Sequence, residues 1–99
     1  MNEDELVAQL AAIASPQRIH ILAELTEGQL HVSELARRVG MSRALLYMHL
    51  TKLEEAGFVA GHLELGADGK ALKFFEPVPF TITIDLQTLA DAANRGKHS

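Results

Sequence analysis

Residues 32–57 read V-S-E-L-A-R-R-V-G-M-S-R-A-L-L-Y-M-H-L-T-K-L-E-E-A-G. Leu35, Ala36 and Val39 fall at i, i+1 and i+4, which predicts a short helix with one apolar face. Gly40 is the residue that ends it, because a helix stop in the left-handed region is unstrained only without a Cβ. Ser42 then offers a hydroxyl to an orphan N–H of the next helix. Leu46, His49, Leu50 and Leu53 fall at i, i+3, i+4 and i+7, the inward stripe of that second helix, and Gly57 stops it. Two helices joined by a short glycine-containing turn are a helix-turn-helix, the motif that lays its second helix in the DNA major groove.

Downstream of Gly57 the period changes from 3.6 to 2. Residues 58–65, F-V-A-G-H-L-E-L, predict a strand; G-A-D-G at 66–69 is turn chemistry; Lys70 to Glu76 is the returning strand. A hairpin directly after the second helix makes the motif a winged helix, with the wing at 58–76. Pro77 and Pro79 end the hairpin because neither can donate to a ladder. Phe80 to Ile84 reads as an extended lead-in, and Asp85 as the cap of a last helix with Leu86, Leu89, Ala90 and Ala93 on one face, ended by Gly96.

Upstream, Glu5 to Ala14 predicts a first helix with Leu6, Leu10 and Ile13 on one face, its N-terminal dipole matched by Glu3, Asp4 and Glu5. Ser15-Pro16 breaks and restarts the chain, since Pro is tolerated at the first helical position. The second helix runs from Pro16 to about Thr26, with Ile19, Leu22, Ala23 and Leu25 as its apolar residues; Leu30 to Val32 is a short extended link. The expected fold is mainly α with a small β-hairpin: a winged helix-turn-helix of five helices plus the wing, in one domain over 1–99. The motif occupies 32–57, and terminal helices at 5–14 and 85–95 flank it.

Composition narrows the function. The 99 residues have no Cys, which excludes disulfides and thiolate metal sites. The opening is acidic rather than basic, and no apolar run is long enough to cross a bilayer, so the expected location is the cytoplasm. The net charge of −4 opposes phosphate neutralisation. Its distribution is kinder: between Gly28 and Glu76, six basic residues (Arg37, Arg38, Arg43, Lys52, Lys70, Lys73) balance six acids. No nucleophile–base pattern, glycine-rich phosphate loop or paired-acid motif is present, and the five histidines show no metal-ligand spacing, so neither an enzyme nor a cofactor is expected.

Three segments carry a family resemblance: A-S-P-Q-R-I-H-I-L at 14–22, L-H-V-S-E-L-A at 30–36, and M-S-R at 41–43 leading to H-L-T-K-L-E-E-A-G-F-V at 49–59. Together they resemble the ArsR family of winged-helix transcriptional repressors, over roughly residues 5 to 76. The resemblance implies a homodimer that binds a pseudo-palindromic double-stranded DNA operator and represses. It also implies that the first and last helices form the subunit interface, which places Leu6, Leu10, Ile13, Leu86, Leu89, Ala90 and Ala93 there. The alternative is that these helices complete a monomer core. A chain this short buries only roughly 60–65% of its unfolded surface, which favours association.

With Leu46, Leu50 and Leu53 inward, the opposite face carries Arg43, Ala44, Tyr47, Met48 and Thr51, with Ser42 at its start. Arg43 can engage guanine O6 and N7 bidentately or sit on a phosphate. Tyr47 offers a hydroxyl and a flat ring, and Ala44 and Met48 suit thymine methyls; Tyr47 and Met48 equally suit a protein partner. Lys70 and Lys73 flank the wing, where lysines meet backbone phosphates. Arg37 and Arg38 serve the helix dipole as well as they serve DNA, and His49 is expected to make a structural hydrogen bond.

Many members of the family release DNA when a metal binds. Where thiol-based sensors carry L-C-V-C-(D/E)-L, this chain has Leu30-His31-Val32-Ser33-Glu34-Leu35, so soft-metal sensing is not expected. The C-terminal-helix pattern D-x-H…H-x-x-(H/E) survives only as Asp85 and His98, with Gln87 in a ligand position. Two ligands do not hold zinc tightly, so no metal site is expected. No residue pattern names an effector. The competing reading, a winged-helix module for protein contacts, draws on the acidic net charge, Tyr47 and Met48.

Overall fold

The computed structural model describes residues 1–97. Its elements run α1 (Glu3–Ile13), α2 (Pro16–Glu24), β1 (Leu30–His31), α3 (Val32–Val39), α4 (Arg43–Glu55), β2 (Val59–Leu65), β3 (Ala71–Pro77) and α5 (Leu86–Lys97). Each helix start has a local cause. The side chains of Asn2, Ser15, His31 and Ser42 cap α1 to α4 by accepting from the N–H groups of Glu5, Arg18, Ser33 and Leu45. Asp85 Oδ1 accepts from Thr88 N at 2.7 Å and caps α5. Between α3 and α4 the chain reverses through Gly40 at φ 67°, as the sequence predicts.

The α5 helix continues past Gly96 to Lys97, where the sequence placed Gly96 as its end. The link at Leu30–His31 is a strand. It pairs antiparallel with Phe75 and Phe74, so the wing belongs to a three-stranded sheet of order β1-β3-β2 rather than to an isolated hairpin. Two residues are too few to show a period, which is why the pairing is invisible in the sequence. The β3 strand also runs through Pro77, opposite Val59. Proline is tolerated at that last rung, and Val78 N continues the pairing to Phe58 O at 2.9 Å.

The core gathers α2, α3, α4 and the root of the wing. Ile21, Leu25, Leu35, Leu46, Leu50 and Leu53 are wholly buried, joined by Val32, Phe58, Val59 and Phe75. Burial of each such side chain is worth about 1.5–3 kcal/mol. In α2 the inward residues are Ile21 and Leu25, while Ile19, one of its apolar residues in the sequence, is 55% exposed. Exposed Ile19, Val78 and Phe80 border an apolar groove that also takes in Ile13 and Leu22.

The terminal helices are different. The α1 helix packs on α5, α2 and α4, yet the two helices bury only Leu6, Ala12 and Ala92 among their described side chains. The molecule is long, 54 × 24 × 23 Å, with a radius of gyration of 16.1 Å. A compact chain of this size has about 13 Å.

Candidate nucleic-acid interface

The α4 helix is fixed on three sides. Leu46, Leu50 and Leu53 anchor it in the core. At its far end Glu54 Oε2 accepts from Gly61 N of β2 at 3.1 Å. On its flank His49, 6% exposed, is bonded through Nδ1 to Arg18 Nη1 at 3.0 Å. An arginine has no acceptor, so Nδ1 is the accepting nitrogen and the imidazole is neutral with its proton on Nε2. Burial first, then the charges of Arg18 and Lys52, push the His49 pKa below its ordinary value. The structural hydrogen bond expected of His49 is present, with Arg18 as its partner.

What remains of α4 faces solvent. Ser42, Arg43, Ala44, Tyr47, Met48 and Thr51 are all exposed, so the sequence-predicted set stays together on one surface. Arg43 makes no side-chain hydrogen bond or ion pair among the described residues. By contrast, Arg37 and Arg38 are occupied. Arg37 forms a two-point pair with Glu34, and Arg38 reaches Glu34 at 3.2 Å and Glu24 at 3.7 Å. The hydrogen bonds from Arg37 and Arg38 hold the Glu34 pKa down to about 2. Of the arginines in the motif, only Arg43 therefore presents a guanidinium without a carboxylate.

The wing is locked to this surface by aromatic contacts that sequence reasoning missed. Tyr47 stands edge-on to Phe75 of β3 with ring centroids 6.3 Å apart, and Lys73 Nζ lies 5.4 Å from the same ring. Recognition helix, sheet and wing lysine thus share one aromatic ring. Gly61, opposite Phe75 in the ladder, makes room for it: a Cβ there would lie 2.8 Å from Phe75 Cε1. A glycine inside a strand pattern is the one sequence signal for such a close approach. Lys70 is exposed at the hairpin turn, where Lys70 N bonds Asp68 Oδ1 at 3.0 Å. Lys73, half-buried, lies in the strand itself.

Asp85 is spent on its own helix, accepting from both the N–H and the hydroxyl of Thr88. Its pKa is lowered chiefly by that hydroxyl. His98 lies outside the described residues. Among those described, no group of three or more potential metal-binding side chains occurs.

Comparison with known proteins shows the family of the chain that carries this surface. The family profile described as bacterial regulatory protein, arsR family, matches residues 15–60. An HTH-type transcriptional regulator of Methanocaldococcus jannaschii is 32% identical over 81 residues, covering 82% of this chain and 84% of the relative. The chain belongs to the arsR family. The nodulation protein NolR of Rhizobium meliloti is 38% identical over 61 residues, which span 60% of this chain and half of NolR. The solved structure of HlyU from Vibrio cholerae superposes with a TM-score of 0.66 at 26% identity, covering 93% of this chain and 90% of that one. HlyU is described as a transcriptional activator.

An arsR-family chain with a winged-helix fold is a DNA-binding transcription regulator, and nothing in the fold favours the protein-contact reading of the same surface. The relatives are regulators rather than enzymes. Among the described residues no helix is long and apolar enough to cross a membrane.

Proposed function

We propose that this protein is a sequence-specific regulator that binds a pseudo-palindromic double-stranded DNA operator as a homodimer and represses. The observation that carries the reading is the exposed face of α4, capped at Ser42 and led by an arginine with no carboxylate partner. In this reading Arg43 meets base edges in the major groove, and Ala44, Tyr47, Met48 and Thr51 follow the groove wall. Lys70 and Lys73 meet the backbone from the wing, so motif (32–57), wing (58–76) and terminal helices act as three functional parts of a single domain.

Two observations support the dimer. The α1–α5 pair leaves Val7 59%, Leu86 87% and Leu89 42% exposed, and the molecule is longer than a self-sufficient chain of its size. Leu10, Ile13, Ala90 and Ala93 complete the proposed interface. Leu6 is already covered by its own protomer and contributes by positioning α1.

The test is a binding titration against the DNA upstream of the protein's own gene, at two salt concentrations with random-sequence competitor. Arg43, Lys70 and Lys73 predict that log affinity falls with log salt with a slope of about −3 per subunit. Binding no tighter than to random DNA would refute the operator. A transcription assay reads the sign of regulation, and activation, as the description of HlyU implies for that protein, would overturn repression.

A further inference from the structure

A cleft of about 350 Å3 opens where the C-terminal half of α1 passes α2 and the flank of α4. Four alanines line it, Ala8, Ala11, Ala12 and Ala56, together with Arg18 and Lys52. Arg18 reaches it from α2. Its Nε donates to Ala12 O at 2.5 Å, its Nη2 to Ala11 O at 3.5 Å and its Nη1 to His49 Nδ1 at 3.0 Å. All three acceptors are uncharged. A guanidinium has five N–H groups, so two are left over. Lys52 forms no ion pair among the described residues. Glu55 also lines the cleft but pairs with neither cation, so one carboxylate faces two positive charges.

We propose that this cleft binds a small monocarboxylate with a short apolar body and is the effector site of the regulator. A carboxylate placed between Arg18 and Lys52 receives charge-assisted hydrogen bonds on both oxygens. The alanine methyls leave the volume for the body, and the size is that of a small-ligand pocket. Phosphate or sulfate fits less well, because its remaining oxygens would be desolvated against methyl groups with no donor to meet them.

The position gives such a ligand leverage. Arg18 joins the carbonyls at the end of α1 to the inner flank of α4. A carboxylate that competes for the guanidinium changes how α1 and α4 are held together. This step rests on the dimeric reading above: with α1 at the subunit surface, the spacing of the two recognition helices changes with it. Coupling of this kind is reciprocal, so operator DNA alters carboxylate affinity by the same factor.

The experiment uses the full chain, isotope-labelled and free of DNA. It is titrated with sodium hexanoate, acetate, phosphate and chloride at constant ionic strength. The expected result is saturable shifts of the Ala8, Ala11, Ala12 and Ala56 methyl signals with hexanoate, tighter than with acetate or phosphate. The His49 ring pKa rises on binding, because the carboxylate cancels part of the field of Arg18 and Lys52. Lys52 is exposed, so Lys52→Gln keeps the fold and weakens hexanoate about 10-fold. Lys52→Arg restores it. Shifts that match chloride, phosphate binding as tight as hexanoate, or unchanged binding by Lys52→Gln each overturn the site. In a second arm hexanoate alters operator affinity of the wild type and not of Lys52→Gln; saturable binding with unaltered operator affinity overturns the effector role. Because the first arm contains no DNA, failure of the operator reading and failure of this site are separate results.

Discussion

The α2–α3–α4–wing unit and the α1–α5 pair are built from the same residue types, but only one is finished within a single chain. In the first, wholly buried leucines and Ile21 from three helices meet Val59 and Phe75 of the sheet. In the second, alanines and one leucine are covered while Val7, Leu86 and Leu89 face solvent. Side-chain volume explains the difference. Leucine at α4 positions 46, 50 and 53 fills a three-dimensional interior, whereas Ala12 and Ala92 only let two helices approach. The first unit fixes the exposed face of α4 on a filled core. The second leaves its larger apolar side chains for another surface to cover.

Breaking the finished unit costs most. Leu50→Ala removes a wholly buried side chain at the centre of the core. It is expected to destabilise the protein by about 2–5 kcal/mol, measured by denaturant unfolding, much of the stability of a small domain. A loss below 1 kcal/mol would show that the core is loosely packed.

Breaking the unfinished unit is expected to spare the fold. Leu89→Glu puts a charge on a residue 42% exposed in the single chain. Unfolding stability of the protomer changes by about 0.5 kcal/mol or less, as at other exposed sites. Sedimentation shows monomers, and operator affinity falls steeply because two half-sites no longer bind together. A variant that remains dimeric moves the interface elsewhere, the apolar groove beside Ile19 and Phe80 being the next surface to test.

The same contrast explains what the sequence could and could not show. The motif, its cap at Ser42, the stop at Gly40 and the inward stripe of α4 were all legible, because they are local and follow one helical period. The two-residue strand β1, the Tyr47–Phe75 edge contact and the Arg18 partner of His49 were not. Each joins residues far apart in sequence, and no single-helix or single-strand period records such a meeting. The inward stripe of α2 is ambiguous in the sequence for a related reason. Ile19, Ile21, Leu22 and Leu25 admit two overlapping stripes, and packing against α3 and α4 selects Ile21 and Leu25. On the proposed DNA face all three arginines are exposed, and ion pairing separates Arg43 from Arg37 and Arg38, whose carboxylate partners sit one turn away on α3 or on α2.

Arg43 therefore provides the sharpest test of the recognition surface itself. Arg43→Ala removes an exposed side chain with no partner in its own chain, so unfolding stability is expected to stay within about 0.5 kcal/mol. Affinity for the specific operator falls by about 1–3 kcal/mol, and discrimination against a base change in each half-site relaxes with it. An equal loss on random DNA would place Arg43 on a phosphate instead of a base.

The smallest expected effect lies at the seam between the two units, where Arg18 of α2 holds the end of α1 and His49 of α4 together. The folded protein favours neutral His49, so its pKa is lower folded than unfolded. The unfolded state consequently binds more protons between the two values. The stabilisation is fully present above the unfolded pKa of about 6.5 and is lost as pH falls from there through the folded value, with a slope of at most about 1.4 kcal/mol per pH unit. The chain holds four other histidines, so the wild-type profile alone does not isolate the seam. His49→Asn does. Its amide oxygen takes the place of Nδ1 as an acceptor for Arg18 but binds no proton. Denaturation midpoints between pH 8 and pH 5 are expected to fall more for the wild type than for His49→Asn. Parallel profiles would mean that a protonated His49 is tolerated beside Arg18, and that the seam yields rather than holding α1 and α4 in fixed register.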